Sequence, residues 1–223
     1  MFFKAFLYFL ENMNDLFTSP PLKELDFVAF DTETSGLNPL TSEVLEIAAI
    51  KFNQGGILET FSSLAKPRGG ISEEASRING ITLDMLSGSP PFGEVFSKFL
   101  EFVDGSVLVI HNASFDLSFL IAESERTEKL LPDLPVICTL QLSRKVFPKL
   151  GKYSLEFLRS VFQIEKSKLR SPGAMGYHEA LDDSFACMEV FRKCMSRNNG
   201  WEKPFSDVVF HPKGFSKVWD FKK

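Results

Sequence analysis

The sequence predicts an α/β domain organised around a mixed β-sheet. Two adjacent apolar runs are joined by Asn53-Gln54-Gly55-Gly56, and Asn and Gly readily adopt the turn conformations that connect antiparallel strands. Beyond this hairpin, short apolar runs alternate with segments of helical periodicity, which is typical of parallel strands connected by helices. A chain of 223 residues is long enough for one such domain with extensions at its ends.

The first half of the chain supplies three predicted strands, at residues 26–31, 44–53 and 57–64. The second strand is almost continuously apolar, as expected of a strand covered on both faces. Residues 72–78 open with a Ser followed by two acidic residues, which favours the start of a helix. Residues 91–103 carry apolar side chains at helical spacing and predict a second helix.

The second half of the chain continues with wholly apolar short strands and with helices of clear apolar periodicity. The predicted elements are a strand at 107–110, a helix at 113–122, a strand at 136–138, and helices at 140–146, 154–162 and 179–195. We expect the first, fourth and fifth strands to be parallel, with helices as their crossovers.

Two extensions flank the predicted domain at residues 23–197. Ser19-Pro20-Pro21 separates it from residues 1–22, a Phe-rich extension that we expect to be helical. Residues 198–223 form a tail with several aromatic side chains and no clear period. Both extensions are candidate docking surfaces for a partner, although they could equally fold back onto the domain or form a homodimer contact.

Composition narrows the class of protein. The net charge is −4, whereas an independent nucleic-acid-binding domain is usually basic, so nucleic-acid binding would need local patches, metal ions or a partner. The three cysteines form no CxxC pair, which fits the reducing cytoplasm. No apolar run is long enough to cross a bilayer, so no membrane association is expected. We interpret the 24 Phe residues mainly as core filling.

Acidic residues gather at positions where strands end and helices begin. Asp31 and Glu33 lie on the same side of an extended chain, roughly 7 Å apart, and such a pair repels unless a cation neutralises it. Asp116 lies in the first turn of one predicted helix and Asp183 in the first turns of another. Four carboxylates with few other donors predict a site for hard cations such as Mg²⁺ or Mn²⁺.

His178 is the candidate general base, because an imidazole titrates near neutral pH. It lies five positions before Asp183, and on one continuous helix these residues would be about 140° apart at ~100° per residue. We therefore expect His178 on the preceding loop, where Gly173 and Gly176 would let it move towards bound substrate. Asp182 competes with Asp183 for the ligand position.

Three segments resemble the exonuclease motifs of the DnaQ-like DEDDh family of 3′→5′ exonucleases. They are Asp31-Thr32-Glu33-Thr34-Ser35-Gly36-Leu37, His111-Asn112-Ala113-Ser114-Phe115-Asp116 and His178-Glu179-Ala180-Leu181-Asp182-Asp183. The resemblance covers roughly residues 26–195, and all three motifs stand in the family's order and spacing. Asn79 departs from the pattern, because many members have His there.

The resemblance implies a ribonuclease-H-like fold: a mixed five-stranded sheet with the second strand antiparallel and helices on both faces. It implies release of nucleoside 5′-monophosphates from the 3′ end of a nucleic acid. Asp31, Glu33, Asp116 and Asp183 would hold two Mg²⁺ or Mn²⁺ ions, and His178 would accept a proton from the attacking water. The family spacing selects Asp183 over Asp182, which would then be a solvated neighbour.

The resemblance also suggests substrate contacts. They are Thr32, Thr34, Leu37, Asn112 and Phe115, with Leu37 wedged between terminal bases. Leu37 and Phe115 have the alternative of being ordinary core residues. Between residues 144 and 170, basic side chains outnumber acidic ones and form either a phosphate-binding patch or a scattered solvated surface. We expect His111 to orient the end of its strand.

Three functions remain open from the sequence. Proofreading epsilon subunits of bacterial polymerases belong to this family, which favours DNA as the substrate and a polymerase as the partner. The same active-site groups would serve an exoribonuclease that trims RNA, because the 2′-hydroxyl is recognised by surrounding contacts. A catalytically silent nucleic-acid-binding domain is the third alternative, since fold alone does not determine activity.

Overall fold

The structure, a computed structural model, describes residues 19–169 and 179–210. A five-stranded sheet forms its centre, with the strand order β3-β2-β1-β4-β5. The strands are β1 (Phe27–Thr34), β2 (Val44–Asn53), β3 (Gly56–Leu64), β4 (Val107–Ile110) and β5 (Val136–Cys138). Strand β1 is parallel to β4, and β4 to β5, whereas β2 is antiparallel to both of its neighbours. The predicted mixed sheet with an antiparallel second strand is confirmed.

Helices connect β3 to β4 and β4 to β5, and further helices follow β5. They are α1 (Glu73–Asn79), α2 (Leu83–Leu86), α3 (Phe92–Val103), α4 (Ser114–Thr127), α5 (Thr139–Val146), α6 (Leu155–Val161) and α7 (Glu179–Met195). Ser72 and Ser154, predicted as first helical residues, are N-caps whose hydroxyls accept from Ala75 N and Phe157 N. Helix α2 was not predicted, and α4 continues beyond residue 122, where the apolar spacing had ended.

Two apolar cores cover the two faces of the sheet. Val28 and Phe30 of β1 face the core formed with α3 and α4. Phe27 and Ala29, which alternate with them, face the core formed with α5 and α7. Phe side chains are prominent among the largest fully buried groups, as in the T-shaped contact of Phe30 with Phe99 at 5.1 Å between ring centres. The predicted arrangement of helices on both faces is confirmed.

The described parts of the two extensions pair with each other at one end of the domain. Leu22 N donates to Lys203 O at 3.0 Å, and Phe205 N donates to Pro20 O at 3.0 Å. Leu22 and Phe205 are buried in the second core. Phe210 N donates to Val136 O at 2.7 Å beside β5. These segments therefore fold onto the domain, while the predicted boundaries at residues 22 and 197 stay predictions.

Two expectations from composition concern the described residues. Cys138, Cys187 and Cys194 are buried free thiols. Across residues 19–169 and 179–210, no helix combines the length and the apolar character that crossing a membrane requires.

Candidate active site

Asp31 and Glu33, the predicted carboxylates of β1, lie in the part of this strand that extends beyond its pairing with the parallel strand β4. The pairing of β1 with β4 ends at Ala29 and Val109, whereas the pairing of β1 with β2 continues to Thr34. Asp31 and Glu33 therefore lie within a strand, not at its end as the sequence had predicted, because β2 supports them from the other side. Along β1 they continue the alternating set of Phe27 and Ala29, whose face of the sheet is covered by α5 and α7.

Asp116 is fixed against β1 by a hydrogen bond between distant parts of the chain. The Thr32 hydroxyl donates to Asp116 Oδ1 at 2.8 Å, and Asp116 is only 3% exposed. Burial raises the pKa of Asp116 to about 7, although hydrogen bonds from the Thr32 hydroxyl and from backbone N–H groups oppose this rise. The first turn of α4 thus presents a carboxylate that is poorly stabilised as an anion.

Asp31 lies among several other carboxylates. Burial raises its pKa well above the usual range, and the negative charges of Asp116, Asp183, Glu33 and Glu46 raise it further. The four carboxylates predicted from distant parts of the sequence are therefore electrostatic neighbours. Like charges held this close destabilise the folded state until a proton or a cation balances them.

Glu46 is a further carboxylate near Asp31, and it was not identified from the sequence as a site residue. It is paired with Glu33 in the antiparallel register of β1 and β2, and it is 1% exposed. Ser62 donates a weak hydrogen bond to it at 3.4 Å. A lone acidic residue inside the otherwise apolar run of residues 44–50 was the signal that could have identified it.

Asp183 reaches the site because its neighbour ties α7 to the sheet. The Ser184 hydroxyl, fully buried, lies 2.9 Å from Ala48 O and 2.7 Å from Ala180 O. Ala48 is the register partner of Asp31. The contact of Ser184 with this strand therefore places the start of α7 beside Asp31. The Asp183 side chain is 45% exposed.

Asp182 has an environment different from the solvated one that the sequence suggested. Both of its carboxylate oxygens lie within 2.8 Å of Arg159 Nη2, and Ser167 N donates to Oδ1 at 2.6 Å. The same Arg159 is 3.6 Å from Asp183. The expectation of a solvated Asp182 was wrong, because α6 packs beside α7 and brings Arg159 to it. Asp182 links α6, α7 and the segment around Ser167.

The donor set fits a hard divalent cation. Every candidate ligand is a carboxylate oxygen, the donor that Mg²⁺ and Mn²⁺ prefer. Within residues 19–169 and 179–210, no three Asp, Glu, His or Cys side chains are already gathered closely enough to hold an ion unaided. Mg²⁺ sites commonly rely on water and substrate phosphate for the remaining ligands. The raised pKa values of Asp31 and Asp116 show that both carboxylate anions are destabilised, by burial in both cases and also by neighbouring carboxylates at Asp31, and a cation would relieve this.

The predicted substrate contacts differ in how far they are buried. Leu37 is 85% exposed on the loop after β1, so its alternative role as a core residue is wrong. Phe115 is partly buried beside the first core, with its ring centre 5.1 Å from that of Phe119. Core packing thus accounts for part of the Phe115 side chain, and its contact with substrate stays a prediction.

Three polar residues of the predicted substrate set have local partners. The Thr32 hydroxyl is engaged by Asp116, and the Thr34 hydroxyl donates to Gly36 O at 2.7 Å. Asn112 is exposed and adopts a positive φ of 61°, a conformation that Asn tolerates better than most residues. Their contacts with substrate stay predictions, and only Asn112 presents an exposed side chain.

Of the three histidines, His111 is the one that the structure describes. His178 and His211 lie outside the described residues, so the candidate base stays a prediction. The ring nitrogens of His111 contact Thr139 Oγ1 and Tyr153 O, each at 2.9 Å. Burial lowers the pKa of His111 to about 4, which keeps the ring neutral at physiological pH. This geometry supports its role in orienting the end of β4.

Two further features of the sequence were Asn79 and the basic span of residues 144–170. Asn79, 8% exposed, donates to Thr34 O at 3.2 Å and accepts from Ile81 N at 3.1 Å, which ties the end of α1 to β1. Among the basic residues of the span 144–170, Arg159 pairs with Asp182, and Lys145 donates to Asp207 O. A phosphate-binding patch on this span stays a prediction.

A mixed sheet with acidic residues on β1, at the start of α4 and on α7 defines a nuclease of the ribonuclease-H-like class. Residues 28–191 match the Exonuclease family, RNase_T. The chain is 39% identical over 165 residues to the DNA polymerase III subunit epsilon of Treponema pallidum (strain Nichols), covering 74% of both chains. It is 37% identical over 169 residues to the subunit epsilon of Aquifex aeolicus (strain VF5), covering 76% of this chain and 80% of the relative.

Longer proteins and solved structures share the same domain. The chain is 35% identical over 174 residues to the PolC-type DNA polymerase III of Caldanaerobacter subterraneus subsp. tengcongensis, but spans only 12% of that protein. Exonuclease X in complex with 5′ overhanging duplex DNA has a TM-score of 0.61 and 27% identity, covering 81% of this chain and 98% of that structure. The nuclease domain of 3′hExo bound to rAMP, at a TM-score of 0.67 and 16% identity, shares the fold over 83% of this chain and 96% of that one.

This chain belongs to the exonuclease family. The predictions of a ribonuclease-H-like fold, of a DnaQ-like DEDDh relationship and of a hydrolytic exonuclease are confirmed. Membership in this family implies the use of divalent metal ions.

Proposed function

We propose that this protein is a metal-dependent 3′→5′ exonuclease that removes nucleoside 5′-monophosphates from DNA in proofreading or repair. The observation that carries the proposal is the convergence of Asp116, Asp183 and Glu33 on Asp31, whose pKa burial and these charges raise. A binding domain has no need for carboxylates that repel one another. The names of the epsilon-subunit relatives support DNA as the substrate and a polymerase as a partner.

The proposed cofactors are two Mg²⁺ or Mn²⁺ ions, with Asp31, Glu33, Asp116 and Asp183 as their protein ligands. When bound, the ions would supply positive charge to the scissile phosphate and favour ionisation of a water. The chain's own residues orient these carboxylates: Thr32 fixes Asp116, and Ser184 fixes the start of α7. Glu46 adds further negative charge and so strengthens the demand for cations.

His178 is the proposed general base, which accepts the proton of the attacking water. It immediately precedes α7, and Asp183 lies in the first turns of that helix. An imidazole in this role must be neutral before attack, so the rate should rise with pH through the His178 pKa. Leu37 and Asn112 are both exposed, and each belongs to a sequence motif that also contains one or more of the candidate carboxylates. They are the proposed contacts with the substrate's terminal nucleotides.

Digestion of 5′-labelled oligonucleotides tests the proposal. Single-stranded DNA, duplex DNA with a mismatched 3′ end, fully paired DNA and RNA are incubated with Mg²⁺ or Mn²⁺. We expect stepwise shortening from the 3′ end, fastest on unpaired DNA ends, and complete loss of activity with EDTA. Asp116→Asn should be inactive, whereas Asp104→Asn, an exposed change before β4 at the opposite end of the sheet, should be active.

The alternatives predict different products. Preferential degradation of RNA would replace the proofreading assignment with RNA trimming. Binding without release of mononucleotides from any substrate would make the chain a catalytically silent nucleic-acid-binding domain. A polymerase partner, a homodimer and cytoplasmic localisation remain predictions, and sedimentation with and without a purified replicative polymerase tests the first two.

A further inference from the structure

Helix α4 carries a second charged cluster at the end opposite to Asp116. The Glu123 side chain is only 2% exposed, and Arg126 Nη1 lies 2.7 Å from its Oε1. Arg68 Nη2 approaches Glu123 Oε2 at 3.8 Å and Arg68 Nε donates to Glu43 at 2.9 Å. This cluster is separate from the candidate catalytic carboxylates and calls for its own explanation.

The cluster is directed at the loop of residues 35–43, which connects β1 to β2. Arg126 donates to the backbone carbonyls of Pro39 and Ser42, the latter at 2.8 Å. The base of the loop is closed by Ser35 N to Glu43 O and by Glu43 N to Ser35 Oγ, both at 2.9 Å. Arg126 therefore holds the loop by hydrogen bonds to its backbone carbonyls. The two ends of the loop are joined by the bonds between Ser35 and Glu43, next to β1 and β2.

The loop so held presents two large apolar side chains to solvent. Leu37 is 85% exposed and Leu40 is 81% exposed, although Ser42 in the same loop is buried. Exposed leucines on a fixed loop next to the carboxylate of Glu33 are suited to contact with the apolar faces of nucleic-acid bases. A buried ion pair is often no more stabilising than an apolar replacement. The Glu123–Arg126 pair is therefore better explained by the precise position that it gives to the loop than by a gain in stability.

Helix α4 connects this loop to the site of chemistry. Asp116 lies in its first turn and Glu123 lies seven residues later, which places both on the same face of the helix. The distance along the axis from Asp116 to Arg126 is about 15 Å at 1.5 Å per residue. A single rigid helix thus sets the position of the loop relative to the candidate cation site.

We propose that Glu123 and Arg126 are positioning residues that hold loop 35–43 so that Leu37 and Leu40 meet the bases at the 3′ end of the bound strand. This inference rests on the proposed exonuclease function. It assigns to the loop the task of positioning the 3′ end of the bound nucleic acid at the carboxylates. Glu123 neutralises and orients Arg126, and Arg126 fixes the loop through its two carbonyls. Neither residue needs to touch the substrate.

The test compares two single-stranded DNA oligonucleotides with identical backbones, one of which lacks the bases of its last two nucleotides. For Arg126→Gln we expect KM on the normal oligonucleotide to rise about tenfold, the worth of one lost base contact, with kcat little changed. On the abasic oligonucleotide, Arg126→Gln and the wild type should agree within about twofold, because no base contact remains to be lost. Glu125→Gln, an exposed change on the same helix, is the control and should behave as the wild type on both.

A double-mutant cycle links the arginine to the loop. If Arg126 acts through Leu37, then Leu37→Ala with Arg126→Gln should raise KM little more than either change alone. Arg126→Lys keeps the charge beside Glu123 but cannot reach both carbonyls equally well, so an intermediate KM is expected even if the Gln variant folds poorly. Unchanged KM in folded Arg126 variants, or equal losses on both oligonucleotides, would overturn the inference. A wild-type chain that degrades neither oligonucleotide would instead overturn the proposed function on which the inference rests.

Discussion

Thr32 donates a hydrogen bond of 2.8 Å to Asp116, although 84 positions separate the two residues in the sequence. The bond joins β1 to the first turn of α4 at the point where β4 no longer separates them. Its effect is electrostatic as well as geometric, because it opposes the rise that burial causes in the Asp116 pKa. Thr32 therefore prepares a carboxylate for a cation.

Replacement of Thr32 by Val tests this relationship, because Val keeps the shape of the side chain and removes its donor. We expect the affinity for Mn²⁺ to fall about 10–100-fold, as for the loss of other groups that orient metal ligands. Activity should recover at high Mn²⁺, and titration calorimetry checks the affinity. Thr60→Val, on β3 away from Asp116, is the matched control. An unchanged Mn²⁺ affinity in Thr32→Val would show that the bond has no part in metal binding.

Local sequence patterns predicted the five strands and most of the described helices, but not the contacts between them. The apolar runs identified all five strands, and the Ser caps located two helices to within a residue. The pattern ended β1 at Asp31, whereas pairing with β2 carries the strand to Thr34. Strand length here depends on a partner that enters later in the chain, which a local pattern does not contain.

The candidate site shows the same division. Asp31, Glu33, Asp116 and Asp183 were found from spacing and motif resemblance. The sequence did not predict three features: the pairing of Asp182 with Arg159, the burial of Glu46, and the hydrogen bonds from Arg126 to loop 35–43. Each of these depends on packing between elements far apart in sequence, where the same residue types would also suit a solvated surface.

Asn substitutions at Asp182 and Asp183 separate a structural carboxylate from a proposed ligand. For Asp183→Asn we expect kcat to fall by at least about 100-fold, because the site loses charge that a cation needs. Asp182→Asn keeps an oxygen for Ser167 N but loses the ion pair with Arg159, so activity should largely persist while the free energy of unfolding falls by about 1–3 kcal/mol. Steady-state kinetics and urea unfolding measure the two effects. The opposite pattern would exchange the roles of the two residues.

His111 predicts a loss of stability in acid. Its pKa is lowered from 6.5 to about 4 by burial, so the unfolded chain binds a proton more readily than the folded one between these values. Stability from this group is therefore present above about pH 6.5 and is lost as the pH falls towards 4, with a limit of about 3 kcal/mol. In His111→Gln this part of the pH dependence should disappear, which urea unfolding from pH 4 to 7 would reveal. A variant that retains the full acid loss would exclude His111 as its source.

Asp116 predicts the opposite pH dependence for the metal-free protein. Its folded pKa of about 7 lies above the ordinary Asp value of 3.8 expected in an unfolded chain, and the pKa of Asp31 is raised as well. Folded protein therefore holds protons more tightly than unfolded protein, and the stability gained from this binding is present below about pH 4 and is lost as the pH rises through about 7.

Divalent cations should reverse that loss. Mn²⁺ competes with the protons on these carboxylates, so the increase in melting temperature caused by Mn²⁺ should be larger at pH 8 than at pH 5.5. Differential scanning calorimetry with EDTA or with Mn²⁺ at both pH values measures the four melting temperatures. Asp116→Asn should weaken both the metal-free pH dependence and the Mn²⁺ response, because one carboxylate is the source of both. Equal Mn²⁺ responses at the two pH values would mean that the cation binds elsewhere than at the Asp31 and Asp116 carboxylates.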